Sequence, residues 1–186
     1  MRKYLLSIFI ALGIILVGCS SEKGSASDEK LQVVQLKGGE AQVSLPEGLT
    51  EKEIDGKKMI ADSSGDIRVV YLSMPLGVNL GADKYPIDKF SEKDQKGFIE
   101  GMASGFLRQS PAGSTVKSTS IIKLENGHSA GLMELIYGKD QGSASAVAII
   151  YNQDARILVI ASKKQDVFEK NKEKFISYFK TFKVKE

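Results

Sequence analysis

The chain has 186 residues, of which 42% are hydrophobic and 26% are charged, a composition typical of a globular protein rather than a disordered one. The formal net charge is +3, and Arg2 and Lys3 contribute to it, so the remainder is nearly neutral and nucleic-acid binding is not expected. One cysteine and one histidine exclude a disulfide framework and a conventional His/Cys metal cluster. The sequence therefore predicts neither a metal site nor a cofactor.

The amino-terminal residues predict an exported, lipid-anchored protein. Arg2 and Lys3 precede an uncharged apolar stretch at residues 4–17. A helix of that length spans about 21 Å, less than the ~30 Å hydrocarbon core of a bilayer, so the stretch is typical of a signal peptide. Residues 16–19, Leu-Val-Gly-Cys, resemble the lipobox of bacterial lipoproteins, which implies cleavage after Gly18 and acylation of the Cys19 thiol. The alternative is a buried cysteine that follows an ordinary signal peptide.

These features divide the chain into three parts. Residues 1–18 form the lipoprotein signal peptide, and residues 19–30 form a flexible polar tether that begins at the lipidated Cys19. Residues 31–186 form a single domain without repeats or low-complexity segments. Several acyl chains on one cysteine anchor a protein stably, so the expected partner is the lipid bilayer. The domain is expected at the cell membrane, facing the periplasm or the exterior, with inner and outer membrane both open.

Short apolar runs separated by turn residues predict hairpins and hence a largely antiparallel sheet. The Asn126-Gly127 pair favours a type I′ turn. The runs 69–72 and 157–160 are continuously apolar, as in strands that are buried on both faces. The predicted strand pairs are residues 31–36 with 41–45, 59–61 with 67–74, 121–124 with 132–137, and 144–151 with 156–161.

Two amphipathic helices are expected to cover this sheet. Ser91 and Asp94 form a capping box before the first helix, which ends at Ser110-Pro111, and Asp166 caps the second. The first helix places Phe98, Ile99, Met102, Phe106 and Leu107 on one face, and the second places Phe168, Phe175, Ile176, Phe179 and Phe182 on one face. The predicted fold class is α+β, a sandwich with a central, largely antiparallel sheet covered by helices.

The chain resembles the DcrB family of bacterial lipoproteins, whose fold is similar to that of the photosystem protein PsbP. The resemblance comprises the lipobox, the polar tether, the strand at residues 41–46, the Gly127-His128 turn, two apolar hairpin strands and the closing helix. It implies a PsbP-like sandwich and an envelope protein without enzymatic activity, and related domains act as chaperones for secretion effectors. Ser20 stands where members retained in the inner membrane often carry Asp, so the resemblance does not indicate whether the inner or the outer membrane holds the protein.

No catalytic constellation is evident, and the protein is not expected to be an enzyme. His128 is the only histidine, and it follows a hairpin turn, where a structural or solvent-facing role is expected. The alternative from another class is a hydrolase that uses His128 with a carboxylate as general base. A third alternative is a structural envelope protein without a discrete ligand.

The first helix contains Gly97, Gly101 and Gly105, which together cost roughly 2.5–3 kcal/mol of helix stability relative to alanine. At 100° per residue they form a smooth shoulder beside the apolar stripe. The simpler interpretation is close packing within the domain. The alternative is a groove for a partner, an envelope protein or an apolar helix, with Phe98 and Met102 as its apolar wall.

The closing segment, residues 163–186, is rich in lysine. Its lysines are expected to be merely solvated, and the alternative is contact with anionic lipid head groups. The leading hypothesis is therefore a membrane-anchored envelope lipoprotein with a non-enzymatic binding or chaperone-like domain.

Overall fold

The structure is a computed structural model that describes residues 29–54, 57–108, 110, 112–137 and 142–185. The predicted signal peptide, Cys19 and most of the predicted tether lie outside the described residues. Within the described ranges, none of the helices has the length and apolar character needed to cross a membrane.

The described residues form ten strands and two α-helices, with short 3-10 turns at Lys37–Gly39 and Pro86–Lys89. The strands are β1 (Leu31–Leu36), β2 (Ala41–Pro46), β3 (Thr50–Ile54), β4 (Lys57–Ala61), β5 (Ile67–Pro75), β6 (Thr115–Lys123), β7 (Ser129–Ile136), β8 (Ser143–Tyr151), β9 (Asp154–Ser162) and β10 (Lys183–Val184). The helices are α1 (Glu92–Leu107) and α2 (Gln165–Lys180).

The strands form two sheets, in which every pairing is antiparallel. The large sheet has seven strands in the order β3-β4-β5-β9-β8-β7-β6, and the small sheet has three in the order β1-β2-β10. The predicted α+β class with a central antiparallel sheet is therefore confirmed. All four predicted strand pairs are present, and β3, β10 and the first half of β6 are additional.

The central strands of the large sheet are buried on both faces, as their continuous apolar runs predicted. Side chains alternate along β8, so Val147 and Ile149 face α2 and the small sheet, whereas Ala146 and Ala148 face α1. All four of these residues are at most 2% exposed. The domain thus has two hydrophobic layers, one on each face of the same sheet.

The α2 helix covers the first face with aromatic side chains. Phe168, Phe175 and Phe179 are at most 2% exposed, and Tyr178, which the sequence analysis did not assign to this face, is buried with them. The prediction that Asp166 caps this helix is wrong. The N-cap residue is Lys164, which makes no side-chain capping bond, and Asp166 lies in the first turn, where its carboxylate still opposes the helix dipole.

The α1 helix covers the other face, over β6 and β7. The Ser91 half of its capping box is confirmed, because the Ser91 hydroxyl accepts a hydrogen bond from the Asp94 backbone N–H at 3.2 Å. The Asp94 carboxylate returns to Ser91 through the hydroxyl, from which it accepts at 2.6 Å. The helix ends at Leu107, shortly before the predicted Ser110-Pro111 stop.

The type I′ turn is at a different hairpin from the one predicted. Asn152 and Gln153, between β8 and β9, have φ values of 47° and 68°, which is the pattern of a two-residue type I′ turn. At the β6–β7 hairpin only Gly127 has a positive φ, of 86°. The Leu124 N–H donates to the His128 carbonyl at 3.0 Å, so this loop is one residue longer and takes a single left-handed glycine instead.

The α1 helix packs tightly on the sheet at Gly131 of β7. A Cβ atom there would lie 2.1 Å from Cδ1 and 2.6 Å from Cγ1 of Ile99, which is 1% exposed. We therefore expect Gly131→Ala to lower the free energy of unfolding by about 1–3 kcal/mol through overpacking. Chemical denaturation of the full chain measures this change in the free energy of unfolding.

Gly48→Ala is the matched control, because a Cβ at Gly48 meets no atom within 4 Å. Combining Gly131→Ala with Ile99→Val removes the Cδ1 atom that clashes and should recover part of the loss. An unchanged denaturation midpoint for Gly131→Ala would contradict this packing.

Candidate functional site

A groove with a volume of about 1320 Å³ runs between the small sheet and the β3–β5 end of the large sheet. On one side lies β1, from Gln32 to Leu36, and on the other lie Leu49 and the β3–β4 hairpin. Its apolar lining comprises Val33, Val34, Leu36, Leu49, Met59, Ile60, Val69, Val70, Tyr71 and Val184. The groove exists because the small sheet covers only part of the large sheet's face.

The β1 strand is an edge of the small sheet, since it pairs with β2 alone among the strands that the structure describes. The Glu47 N–H donates to the Lys30 carbonyl at 3.1 Å, which fixes the alternation of hydrogen bonds along β1. The backbone groups of Gln32, Val34 and Leu36 therefore point toward β2. Those of Leu31, Val33 and Gln35 point away from it, at an edge on which Leu31 is 48% and Val33 61% exposed.

One end of the groove is basic. Lys37, Lys183 and Lys185 line it there, against a single acidic lining residue, Glu51, among the residues that the structure describes. Lys37 contacts Glu40 at 3.2 Å, and Lys183 lies 3.9 Å from the Glu125 carboxylate. Lys185 has no ionic partner within the described part of the chain.

Arg156 ties the small sheet to the large one near the groove. Its guanidinium contacts the Glu40 carboxylate at 2.9 Å and that of Asp154 at 3.1 Å, and it also donates to the Ser73 hydroxyl. Burial raises the pKa of Tyr71, while the nearby Arg156 guanidinium opposes that shift. The Tyr71 hydroxyl is therefore neutral at physiological pH, and the charge near it belongs to Arg156 and its partners.

A second polar cluster surrounds His128. Its Nδ1 lies 2.7 Å from the Asp88 carboxylate, and the Tyr85 ring stacks on the imidazole with a centroid separation of 3.5 Å. The Ser129 N–H donates to the other Asp88 oxygen at 2.7 Å, and Lys123 donates to the Ser129 hydroxyl at 2.8 Å. These contacts join the 3-10 turn at Pro86–Lys89 to the β6–β7 hairpin.

This cluster contains the carboxylate that a His128 general base would use, that of Asp88, although the two residues are far apart in sequence. Its geometry is that of a clamp, because Asp88 binds both the imidazole and the backbone of the next strand. The Ser129 side chain accepts its hydrogen bond from Lys123, and no nucleophile is hydrogen-bonded to His128 among the described residues. In the same part of the chain, no cluster of three or more His, Cys, Asp or Glu residues has the arrangement to hold a metal ion.

The glycines of α1 do not pack inside the domain, so the simpler interpretation of them is wrong. Gly97 and Gly101 are exposed, Gly105 is half-buried, and a Cβ at any of the three would meet no atom within 4 Å. Phe98 and Met102 are half-buried against the core beneath α1. The glycines therefore leave an open strip on the helix surface, and the partner groove at this strip stays a prediction.

Acidic residues from other elements neutralise much of the lysine-rich closing segment. Lys172 contacts the buried Glu134 at 2.7 Å, and Lys164 contacts Asp66 at 3.4 Å. Lys174 lies 3.5 Å from the carboxylate of Glu29, which also accepts a hydrogen bond from Tyr178. The segment is thus much less basic as a surface than as a sequence, which favours ordinary solvation over contact with head groups.

The groove was missed in the sequence analysis because its walls are brought together by tertiary packing alone. The one local signal is the apolar pair Leu31 and Val33, which share one side of the first strand, and the structure leaves that side exposed. Asp88 was missed as the partner of His128 because the two residues are 40 positions apart.

The Asp88–His128 contact predicts a pH-dependent contribution to stability. Partial burial raises the pKa of Asp88, but the hydrogen bonds from His128 and Ser129 outweigh it, so the pKa lies below the ordinary 3.8. A lowered carboxyl pKa contributes stability above pH 3.8 and loses it as the pH falls through the folded-state value. We expect Asp88→Asn to lower the free energy of unfolding by about 1 kcal/mol near neutral pH, and the difference to shrink below pH 3.8.

Denaturation curves at several pH values test this, with Asp83→Asn on the exposed preceding loop as the control. A difference between wild type and Asp88→Asn that is the same at neutral and acid pH would contradict the assignment.

The open strip on α1 predicts a gain of stability from alanine. We expect Gly101→Ala to raise the free energy of unfolding by up to about 1 kcal/mol, because the new methyl group meets nothing and alanine favours the helix. Ala103→Gly, at a position 2% exposed in the same helix, should lower it. A lower denaturation midpoint for Gly101→Ala at unchanged slope would show that the position is packed.

No protein-family model matches the sequence, and no curated protein matches it. The resemblance to the DcrB family therefore stays a prediction. Solved structures do match the fold. The Ran-binding protein Mog1p of Saccharomyces cerevisiae matches with a TM-score of 0.48 and 9% identity, over 84% of this chain and 96% of that one. The protein PA94 of Pseudomonas aeruginosa matches with a TM-score of 0.41 and 12% identity, over 84% and 98%.

The solution structure of cyanobacterial PsbP (CyanoP) from Synechocystis sp. PCC 6803 matches with a TM-score of 0.55 and 15% sequence identity. The match covers 89% of this chain and 98% of that chain. Likeness at this level of identity shows the fold alone. The described domain has a PsbP-like α+β fold, in which helices and a small sheet cover a seven-stranded antiparallel sheet.

Proposed function

We propose that this protein is a membrane-anchored envelope lipoprotein whose folded domain is a non-enzymatic binding or chaperone-like domain of the DcrB kind. Acylated Cys19 holds it in the bilayer, and the domain faces the periplasm or the exterior. The observation that carries the binding role is the groove between the two sheets, which combines an apolar lining, a basic end and the free edge of β1.

The lipid anchor is supported by the sequence around Cys19 and by the polar character of residues 20–30. The domain itself begins with β1 at Leu31, so the proposed anchor and the groove are close along the chain. A binding partner in this groove is therefore held near a membrane surface. We take that partner to be a polypeptide of the envelope.

A hydrolase is the competing function, and the His128–Asp88 contact is the observation that favours it. The clamp geometry described above explains the same contact without catalysis, since Asp88 joins two elements of the fold. His128→Gln in a protein that still folds separates the two. If cells that carry His128→Gln have the wild-type phenotype, the hydrolase is excluded. If the variant is as stable as the wild-type protein but no longer functions in cells, the hydrolase is supported.

The anchor and the binding role are tested in one experiment on the full chain in bacterial cells that are fed an alkyne-labelled palmitate. We expect the wild-type chain to take up the label, and Cys19→Ala to lose it and accumulate as unprocessed precursor. Ser20→Ala is the matched control that keeps the acceptor thiol. Labelling that survives Cys19→Ala would rule out the anchor.

In the same cells, a photo-crosslinking amino acid replaces Val33 in the groove or Val78 outside it, both of which are more than half exposed. One recurrent protein crosslinked from position 33 and not from position 78 supports the binding role. Crosslinks only to bulk lipid or peptidoglycan would instead indicate a structural envelope protein.

A further inference from the structure

We propose that the groove binds an extended peptide segment, which adds to the small sheet as a fourth strand beside β1 and places an acidic residue at the lysine end. This inference rests on the proposed binding function and names the chemistry of its partner. It is independent of whether the protein is lipid-anchored.

The size of the groove favours a peptide over a small molecule. Pockets for small molecules typically occupy about 300–1,000 Å³, and this groove occupies about 1320 Å³. It follows β1, whose six residues extend over about 20 Å. A narrow site of this length matches a strand-like ligand.

The β1 edge supplies the hydrogen bonds. Leu31, Val33 and Gln35 direct their N–H and C=O groups away from β2, and no strand of the described chain pairs with them. Exposed strand edges are normally short, charged or covered, because they otherwise pair with other chains. Here the edge carries the exposed Leu31 and Val33, which suits the addition of a strand from a partner.

The side walls supply specificity for alternating residues. On one side of the added strand, side chains would meet the apolar lining formed by Val34, Ile60 and Val69, which share the face toward the small sheet. On the other side, they would lie beside the exposed Val33 and Gln35. A segment with apolar residues at every second position therefore fits better than a uniformly polar one.

Three lysines favour an acidic group at one end of the bound segment. Lys37, Lys183 and Lys185 lie where β1 ends, and Lys185 has no ionic partner among the described residues. An acidic residue, or the carboxylate of a chain terminus, at this end of the peptide complements them.

Other occupants fit the observations less well. The chain's own residues 20–28, Ser-Ser-Glu-Lys-Gly-Ser-Ala-Ser-Asp, lack the alternating bulky apolar residues that the walls require. A second copy that pairs β1 with β1 would have to bring its whole small sheet up against the β3–β4 wall, whereas a single peptide strand has no such bulk. An unstructured segment of another protein meets neither obstacle.

The probe is a short synthetic peptide that alternates valine and threonine, has glutamate at both ends and carries a fluorophore. We expect it to bind the purified full chain, as measured by fluorescence anisotropy. Two N-methylated versions, one methylated at the valines and one at the threonines, block opposite edges of the extended peptide. The version whose methyl groups face β1 should bind about tenfold more weakly, because that edge cannot donate to the β1 carbonyls. This comparison alters no residue of the protein.

Val33→Pro is the corresponding change in the protein. It removes an N–H that points away from β2, so the β1–β2 pairing should survive, and peptide affinity should fall about tenfold. Val33→Thr, which keeps the N–H, is the matched control. Lys185→Glu should also weaken binding, while Lys170→Glu on the exposed face of α2 should not.

Equal affinity of the unmethylated peptide and both N-methylated versions would overturn strand addition. Strand addition would also be overturned if the purified chain bound no peptide while position 33 still crosslinked a partner in cells. That outcome would leave the proposed binding function intact. Sedimentation that shows a dimer lost in Val33→Pro would assign the β1 edge to a second copy instead. Conversely, failure of both crosslinking and peptide binding would reject the binding function as a whole.

Discussion

The burial of the central strands on both faces is the constraint from which the rest of the fold follows. Ile157, Leu158, Val159 and Ile160 of β9 are at most 1% exposed, so each face of the sheet needs a cover of its own. The α1 helix provides one cover, at the β6–β7 side. On the other face, α2 and the small sheet share the task, with the aromatic residues of α2 beneath them. The groove is the place where this shared cover stops short of the β3–β5 end.

The large elements could be predicted from the sequence because their signals are local. The capping box at Ser91, the aromatic face of α2 and the continuous apolar runs of β5 and β9 each depend on residues within a few positions of one another. The elements that were missed lack such signals. The β3 strand is Thr-Glu-Lys-Glu-Ile, and β6 begins with a polar stretch, because each is an edge strand with little to bury. The two-residue β10 is recognisable only by its pairing with β2.

The functional surfaces were harder to predict than the fold, because they depend on residues that are distant in the sequence. The α1 glycines are visible in the sequence, but whether they pack or stay open depends on what lies opposite, and the structure places nothing there. His128 is visible too, yet its partner Asp88 comes from a 3-10 turn on a different part of the chain. The groove has no signature in the sequence beyond the apolar Leu31 and Val33 of the first strand, since its walls come from β1, the β3–β4 hairpin, β5 and the last residues.

The position of β10 has a consequence for the order in which the molecule is assembled. The small sheet joins the first hairpin of the domain to Lys183–Val184, and these late residues also form part of the groove. A polypeptide emerges amino terminus first, so β1 and β2 are made early and then wait for their third strand while the large sheet forms. The groove is thus complete only once Lys183–Val184 have paired with β2. A partly synthesised chain presents no finished groove, so ligand binding there would report that the last described strand of the domain has been made and packed.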